Sequence, residues 1–232
     1  MRKDIICLIC CRGGSKEIPG KNIKEFCGKP MIAWSIEKAL ESKIFDRVIV
    51  STDDKSIAKI AEKYGAEVPF LRPSNLSDDY TGTIPVIKHA VNWALDNIGP
   101  IDLVCTIYAT APFLEVSDLS KGLKILNKNN FQVAFSVTSF DFPIQRALKI
   151  NKNLSVSMFQ PENYNQRSQD LEPAYHDAGQ FYWLKTDAIL NEVSTFSEKS
   201  LAIILPRYRV QDIDTEEDWI RAELMFKSLN KI

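Results

Sequence analysis

The sequence has few residues of the kinds that build metal centres, disulfide frameworks or membrane spans. Its 232 residues include two histidines and five cysteines, and neither histidine has the spacing of a metal ligand. No apolar run approaches the ~20 residues that a membrane-spanning helix needs. The formal net charge of −1 creates no positive field for nucleic acid. We therefore expect no membrane or nucleic-acid partner, while a small anionic ligand stays possible.

The cysteines are predicted to be free, buried thiols. Cys7 and Cys10 form a C-x-x-C pair, but they lie in an apolar, strand-like run, whereas redox pairs usually open a helix. That run covers residues 5–11 only, which is too short for a signal-peptide core, and no small-residue cleavage site follows it. We therefore expect a cytoplasmic protein.

Apolar runs alternate with segments of helical period along most of the chain. Strands are predicted at residues 5–11, 47–52, 67–71, 102–108, 132–138, 180–184 and 202–205. Helices are predicted at residues 31–40, 55–64, 83–97, 116–126 and 215–229, the last burying Trp219, Ala222, Phe226 and Leu229. This order predicts an α/β fold with a mainly parallel sheet and helices on both faces.

The stretch from residue 139 to residue 174 interrupts this pattern. It is polar and loop-rich, with weak strand signals at residues 147–150 and 155–159. No repeat or long linker divides the chain. We expect one domain over residues 1–232, with residues 139–174 as an insertion or arm within it.

A loop rich in glycine and basic residues follows the first predicted strand. Ligands of parallel sheets bind beyond the carboxyl ends of the strands, where backbone amides of glycines can approach phosphate oxygens. The spacing is neither that of a P-loop nor G-x-G-x-x-G. We predict a phosphate-binding loop, the alternative being an ordinary connection with exposed cations. Its residues are Arg12, Gly13, Gly14, Ser15, Lys16, Gly20, Lys21 and Asn22.

Two carboxylates precede the last predicted helix. Asp212 and Asp214 are two apart, so on an extended chain they point to the same side and can share a hard cation such as nucleotide-bound Mg²⁺. The alternative is that Asp214 or Thr215 caps the helix, with Glu217 or Asp218 as the return partner. The two roles are compatible.

Three further features bear on the chemistry. Residues 175–183, YHDAGQFYW, combine hydrogen-bonding groups with aromatic rings, which suits a sugar but also a strand with a buried aromatic face. Arg72 lies in a polar loop, where it would contact a base or ribose, or remain a solvated charge. No nucleophilic triad is recognisable. The residues favour positioning and charge neutralisation, as phosphoryl-type transfer requires.

Together these segments resemble the cytidylyltransferases that activate acidic sugars, the CMP-sialic acid synthetases and their relatives. The motifs CRGGSKEIPGKN, RVIVSTDD, LRPSNLSDD and VQDIDTEEDW occur in the family's order across nearly the whole chain. NQRSQDLEPAYHDAGQFYW and PRYRVQDIDTEEDW resemble the pseudaminic acid branch. The chain departs from the family in having Cys10 and Cys11 where Pro-Ala is usual, and A-G-Q-F-Y where the sialic acid enzymes carry N-G-A-I-Y.

The resemblance implies a Rossmann-like nucleotidyltransferase that transfers CMP from CTP to the anomeric hydroxyl of an acidic nine-carbon sugar, here pseudaminic acid. Pyrophosphate would leave in line with the attack. Legionaminic or N-acetylneuraminic acid as the sugar, a metal-dependent glycosyltransferase, and a nucleotide-sensing module without turnover are the alternatives. The resemblance also implies a homodimer that forms through the insertion.

The resemblance implies a role for each site residue. The triphosphate would bind Arg12, Ser15, Lys16 and Lys21, and the cytidine would bind Arg72 and Thr83. Mg²⁺ would bind Asp212 and Asp214, and the catalytic residues would be Arg12, Lys21 and Asp214. The sugar would contact Tyr108, Thr110, Arg167, His176, Asp177 and Gln180. The acceptor of the hydroxyl proton, Asp214 or a base supplied by the bound ion, stays open.

Overall fold

The computed structural model describes residues 4–128 and 130–231, so residues 1–3, 129 and 232 of the predicted domain lie outside the described ranges. The strands are β1 (Asp4–Cys10), β2 (Glu25–Phe26), β3 (Lys29–Pro30), β4 (Arg47–Ser51), β5 (Ile101–Tyr108), β6 (Val133–Ser139), β7 (Leu148–Ile150), β8 (Val156–Met158), β9 (Tyr175–Lys185) and β10 (Ser200–Ile204). The α-helices are α1 (Met31–Ser42), α2 (Lys55–Lys63), α3 (Thr83–Asn97), α4 (Val116–Lys128), α5 (Thr186–Leu190) and α6 (Glu216–Asn230).

Six strands form the central sheet in the order β10-β6-β9-β5-β1-β4. β1 pairs in parallel with β4 and β5, and β10 pairs in parallel with β6. β9 is antiparallel to both of its neighbours, because the chain leaves β6, passes through the arm and returns beside β6. The prediction of a mainly parallel sheet is confirmed.

Helices cover both faces of this sheet. On one side Ile9 of β1 belongs to the same buried cluster as Ile36 of α1 and Ile57 of α2. On the other side Leu8 belongs to a cluster with Val91 of α3. Because successive residues of β1 are buried on opposite faces, the strand reads as a continuous apolar run. Among the described helices, none is long and apolar enough to cross a membrane.

A third buried cluster joins the loop after β1 to the C-terminal helix. Ile18, Ile213 and Trp219 pack together in it. Ile18 belongs to the basic loop, and Ile213 lies between Asp212 and Asp214. This packing therefore brings two segments about 190 residues apart in sequence, one basic and one acidic, to the same side of the molecule.

Two expectations about local structure are wrong. Residues 67–71 form no strand; Glu67 and Leu71 make isolated bridges, because Pro69 between them has no N–H to donate to a strand ladder. Leu229 is 43% exposed, since the last turn of α6 extends beyond the buried cluster and borders a surface cleft. β9 also begins at residue 175, five residues before the predicted strand.

The arm forms a hairpin outside the central sheet. β7 pairs with β8 in antiparallel fashion, and the two make a sheet of their own. All three residues of β7 are exposed. The hairpin thus lies apart from the central sheet, and the role of residues 139–174 as a dimer contact stays a prediction.

Candidate active site

Two clefts meet at Tyr108, beyond the carboxyl ends of β1 and β5. The smaller cleft has a volume of about 350 Å³, and among the predicted site residues it is lined by Arg12, Lys21, Asn22, Arg72, Thr83, Tyr108 and Thr110. The wider cleft has a volume of about 1040 Å³ and is lined by Tyr108, His176, Asp177 and Asp212 from the predicted set. The sheet reverses its winding direction between β1 and β5, which is where open α/β sheets bind ligands.

The basic loop is held in place by buried contacts at several points. Ile18 is fully buried, and the side chain of Asn22 donates a hydrogen bond of 2.9 Å to the carbonyl of Arg12. The amide of Gly13 donates to Asp53 at 3.1 Å. Gly14, Ser15 and Lys16 continue the loop outside the residues that line the smaller cleft. Hydrogen bonds therefore fix the loop at Arg12, Gly13 and Asn22, whereas Gly14 and Lys16 between them are exposed.

The two cations near the start of this loop share one carboxylate. Arg12 Nη1 lies 2.5 Å from Asp79 Oδ1, and Lys16 forms an ion pair with the other oxygen of Asp79. Arg12 also donates to the carbonyl of Asp78 at 2.8 Å. The Lys16 hydrogen bond and the neighbouring Arg12 hold the pKa of Asp79 below its usual range. Asp79 thus contacts the cations predicted to bind phosphate, a role that its place in a polar loop did not indicate.

Lys21 connects the basic loop to the acidic segment. Its ammonium group donates to the carbonyl of Ile213 at 2.6 Å and lies 3.1 Å from Asp214 Oδ1. The side chain of Lys21 is 18% exposed, while that of Asp214 is 69% exposed. Lys21 is therefore fixed by a backbone acceptor, and Asp214 remains open to a ligand.

Metal binding and helix capping, the two roles considered for the acidic segment, fall on adjacent residues. Thr215 is the N-cap of α6, and it forms a capping box with Asp218. The backbone amide of Asp214 donates to Asp218 at 3.2 Å, while its carboxylate takes no part in the cap. Thr215 and Asp218 therefore fill the capping role, and the carboxylates of Asp212 and Asp214 are left for other contacts.

These two carboxylates fit a nucleotide-bound magnesium ion. Burial, and after it the charge of Asp214, raise the pKa of Asp212, while Lys21 nearby acts in the opposite direction. No group of three or more His, Cys, Asp or Glu side chains suited to a metal occurs within the described ranges. Mg²⁺ commonly takes only one or two protein carboxylates, with phosphates and water completing its shell. The donor set matches that pattern.

Arg72 is buried and its guanidinium is held by three groups. Its side chain is 4% exposed and lies 3.7 Å from Asp53. It donates to the carbonyl of Cys11 at 3.1 Å and to Ser77 Oγ at 3.2 Å. The alternative of a solvated surface charge is wrong. Arg72 ties the end of β1 to the loop that forms the opposite wall of the smaller cleft.

Asp177 and Tyr182 form a polar group at the inner wall of the wider cleft. Tyr182 donates a hydrogen bond of 2.6 Å to Asp177 Oδ2, and the amide of Gly179 donates to Oδ1 at 2.9 Å. His176 is exposed, with its ring 4.8 Å from that of Phe140 and Nδ1 2.8 Å from the carbonyl of Asp177. Tyr182 lies in the aromatic segment of residues 175–183, and the sequence pattern does not predict the hydrogen bond of its hydroxyl to Asp177.

Two of the predicted sugar contacts are not brought to either cleft. Gln180 is 3% exposed, and its Nε2 donates to the carbonyl of Arg209 at 2.5 Å. Its side chain therefore contacts the backbone of the segment before Asp212 from the protein interior. Arg167 lies in the arm, is largely exposed and pairs with Asp170 at 2.7 Å. Within this chain, neither side chain lines the clefts.

A partly buried ion pair that the sequence does not indicate lies just before the acidic segment. Arg209 Nη1 lies 2.7 Å from Asp118 Oδ2, and the two side chains are 16% and 12% exposed. Arg209 precedes Asp212 by three residues, and Asp118 lies in the first turn of α4. The pair therefore anchors the acidic segment to the body of the fold.

The match to a family model decides the class of enzyme. The model is described as cytidylyltransferase, and it matches residues 6–224. The chain belongs to this cytidylyltransferase family. The protein is therefore a nucleotidyltransferase, which decides against a glycosyltransferase and against a sensing module without turnover.

Individual relatives agree with this assignment. The chain is 46% identical over 222 residues to pseudaminic acid cytidylyltransferase of Campylobacter jejuni, covering 96% of each chain. It is 31% identical over 229 residues to CMP-N,N'-diacetyllegionaminic acid synthase of the same species, covering 98% of this chain and 97% of the relative. Among solved structures, a CMP:2-keto-3-deoxy-manno-octonic acid synthetase complexed with CTP has a TM-score of 0.71 at 16% identity, over 98% of this chain and 100% of that one. This last likeness confirms the nucleotidyltransferase fold.

Proposed function

We propose that this cytidylyltransferase transfers CMP from CTP to the anomeric hydroxyl of pseudaminic acid and releases pyrophosphate. The observation that carries the proposal is that two clefts meet at Tyr108. Arg12 and Lys21 line one of them, and the hydrogen-bonding side chains of His176 and Asp177, which suit a sugar, line the other. The choice of sugar rests on the 46% identity to the pseudaminic acid enzyme, against 31% to the legionaminic acid enzyme.

The smaller cleft is the proposed CTP site. Arg12 and Lys21 line it and would neutralise the phosphates, with Lys16 at its edge. Gly13, Gly14, Ser15 and Asn22 would shape the loop so that backbone amides reach phosphate oxygens. Arg72 and Thr83 would hold the cytidine. Triphosphate oxygens would compete with Asp79 for Arg12 and Lys16, because both cations already contact that carboxylate.

The wider cleft is the proposed sugar site. His176 and Tyr108 offer hydrogen-bonding groups beside aromatic rings, which suits hydroxyls and the apolar face of a sugar ring. Thr110 lies on the nucleotide side of Tyr108 and would contact the sugar where the clefts join. The anomeric hydroxyl and the α-phosphorus would meet at this junction, since among the described residues Tyr108 alone lines both clefts.

Asp212 and Asp214 are the proposed ligands of Mg²⁺. The ion, when bound, supplies positive charge that stabilises the phosphates as pyrophosphate departs. Lys21 orients Asp214 through the contact of 3.1 Å and contributes its own charge on the same side. Lys21, Arg12 and Asp214 are therefore the residues on which turnover should depend most.

We also propose that the enzyme is a cytoplasmic homodimer. The arm exposes apolar side chains that a two-stranded hairpin cannot bury by itself, and such hairpins are marginal alone in water. The members of this surface are 58–81% exposed: Leu148, Ile150, Leu154, Val156 and Phe159. A second copy of the arm is the occupant with the matching surface. Light scattering on the purified protein tests this, and a monomer at micromolar concentration would contradict it.

The test of the reaction is pyrophosphate release from CTP with Mg²⁺ and, in separate reactions, pseudaminic, legionaminic and N-acetylneuraminic acids. Release with pseudaminic acid, abolished by EDTA and restored by added Mg²⁺, is the expected result. Release with another acid alone would keep the cytidylyltransfer reaction and overturn the proposed sugar. No release with any acid would overturn the assignment of an acidic nine-carbon sugar.

A further inference from the structure

Asp53 lies between the end of β4 and the start of α2, beside the basic loop. β1 and β4 are parallel neighbours, with Cys10 of β1 paired with Ser51 of β4. The segments that follow these two residues therefore leave the sheet side by side, and Asp53 meets the basic loop at Gly13. Asp53 is not among the residues that line the two clefts. Its effect on a ligand must therefore act through the residues that it contacts.

The backbone on both sides of Asp53 is fixed. The carbonyl of Thr52, which is fully buried, accepts a hydrogen bond of 2.8 Å from the amide of Arg72. On the other side, Asp54 is the N-cap of α2, and its side chain accepts hydrogen bonds from two amides of the first turn. Asp53 is thus carried by a rigid segment, which a residue that holds its neighbours in place requires.

One carboxylate oxygen of Asp53 joins two parts of the proposed CTP site. Oδ1 accepts a hydrogen bond of 3.1 Å from the amide of Gly13, and the same atom lies 3.7 Å from Nη2 of Arg72. Gly13 belongs to the loop proposed to bind phosphate, and Arg72 is proposed to hold the cytidine. The side chain of Arg72 is 4% exposed, so its charge has little contact with water and depends on a nearby carboxylate.

The charge of Asp53 by itself would disfavour a triphosphate. A carboxylate beside the phosphate loop repels an anion, and so does Asp79, which contacts Arg12 and Lys16. Asp79 thus holds the side chains of two cations, whereas Asp53 holds a backbone amide and a buried guanidinium. Removal of Asp79 would free the cations for phosphate. Removal of Asp53 would instead release the loop and leave Arg72 without its counter-charge, so the two carboxylates should affect CTP affinity in opposite directions.

We propose that Asp53 is a positioning residue of the CTP site, whose Oδ1 holds the Gly13 amide and the Arg72 guanidinium so that the phosphate loop and the cytidine side of the cleft keep a fixed spacing. This inference rests on the proposed function. CTP would contact both parts at once, so its affinity depends on that spacing. The sugar would bind in the wider cleft, which neither Gly13 nor Arg72 lines, so its binding should not depend on Asp53.

The experiment measures the Kd for CTP by calorimetric titration without sugar, and then KM for CTP and for pseudaminic acid in pyrophosphate release. Asp53→Ala removes the shared oxygen, so we expect the Kd for CTP to rise about tenfold, as loss of one hydrogen bond to a charged group implies. KM for pseudaminic acid should stay within about twofold. Asp53→Asn keeps an oxygen that can accept from Gly13 and loses only the charge toward Arg72, so its Kd should rise about threefold.

The matched control is Asp46→Ala. Asp46 accepts the amide of Ile5 at 2.9 Å, but at the amino end of β1, so its variant should bind CTP as the wild type does. An unchanged or lower Kd in either Asp53 variant would show that Asp53 acts only through its charge, and would overturn the positioning role. Equal losses in the two variants, or an equal rise in KM for pseudaminic acid, would also overturn it. Failure of the wild type to bind CTP would instead overturn the proposed function, so the two failures are distinguishable.

Discussion

A methyl group added at Gly13 tests whether the basic loop is held by the start of α2. A Cβ built at Gly13 would lie 2.6 Å from Asp54 Oδ2 and 3.0 Å from Asp54 Cβ, well inside van der Waals contact. Asp54 cannot easily move aside, because its Oδ1 accepts hydrogen bonds from the amides of Ser56 and Ile57 at 2.6 and 3.1 Å. Either the cap of α2 breaks or the loop shifts.

The expected loss of stability in Gly13→Ala follows from these two outcomes, a broken cap or a displaced loop. Loss of an N-cap costs about 1 kcal/mol, and overpacking of a tight site costs about 1–3 kcal/mol. We expect Gly13→Ala to lower the free energy of unfolding by about 1–2 kcal/mol. For a chain of this size that lowers Tm by about 2–8 °C. A loop displaced by a fraction of an ångström should also lower kcat/KM for CTP by about 10- to 100-fold.

The assay is thermal unfolding without nucleotide, followed by pyrophosphate release. Gly14→Ala is the matched control for stability, since no atom lies within 4 Å of a Cβ there, and its Tm should equal that of the wild type. In an Asp54→Ala background the effect of Gly13→Ala on Tm should be clearly smaller, because the carboxylate oxygen at 2.6 Å is gone and only the Cβ of residue 54, at 3.0 Å, still contacts the added methyl group. Equal Tm values for the two alanine variants, or no coupling to Asp54, would refute the packing argument.

Three further results are expected. Asp118→Ala leaves the partly buried Arg209 without its carboxylate, so it should cost about 2 kcal/mol and lower Tm by about 4–8 °C in calorimetry; a change below 2 °C would contradict this. Thr215→Ala should lower Tm by about 2–4 °C and keep turnover, whereas Asp214→Asn should keep Tm and lower turnover by orders of magnitude; a fully active Asp214→Asn would exclude the metal role. Asp79→Asn should lower the Kd for CTP about threefold in calorimetric titration at low salt, and a weaker affinity would show that Asp79 assists binding.

Much of the layered fold could be predicted because each element carries its own signal. The apolar run of β1 and the helical period of α2 and α3 are local patterns, and they occur where they were expected. The strand predicted at residues 67–71 does not form. The apolar residues on either side of Pro69 favour a strand, but Pro69 has no N–H to donate to a neighbouring strand. The early start of β9 was missed because its first residues pair only with β6 and include the bulge at Gly179.

The site was predicted in composition but not in its internal contacts. The basic loop and the D-x-D segment have recognisable spacings, so their residues could be named from the sequence. Which of Asp214 and Thr215 caps α6 depends on one residue of helix register, and both are good N-caps. The burial of Gln180 and the Asp118–Arg209 pair arise from segments that meet only in the folded chain. No local pattern encodes such meetings.

The cations of the site are already paired with carboxylates, so in the proposed function ligand binding would change their partners. Arg12 and Lys16 contact Asp79, and Lys21 contacts Asp214, so without substrate each cation already has a carboxylate nearby. In the proposed function a triphosphate would compete with Asp79 for these cations, while a cation on Asp212 and Asp214 would offset the burial and the Asp214 charge that raise the pKa of Asp212. The negative triphosphate and the positive metal ion would thus offset each other's charge. CTP and its metal ion should therefore bind with positive cooperativity, whereas a nucleotide alone must displace Asp79 without compensation at the acidic pair.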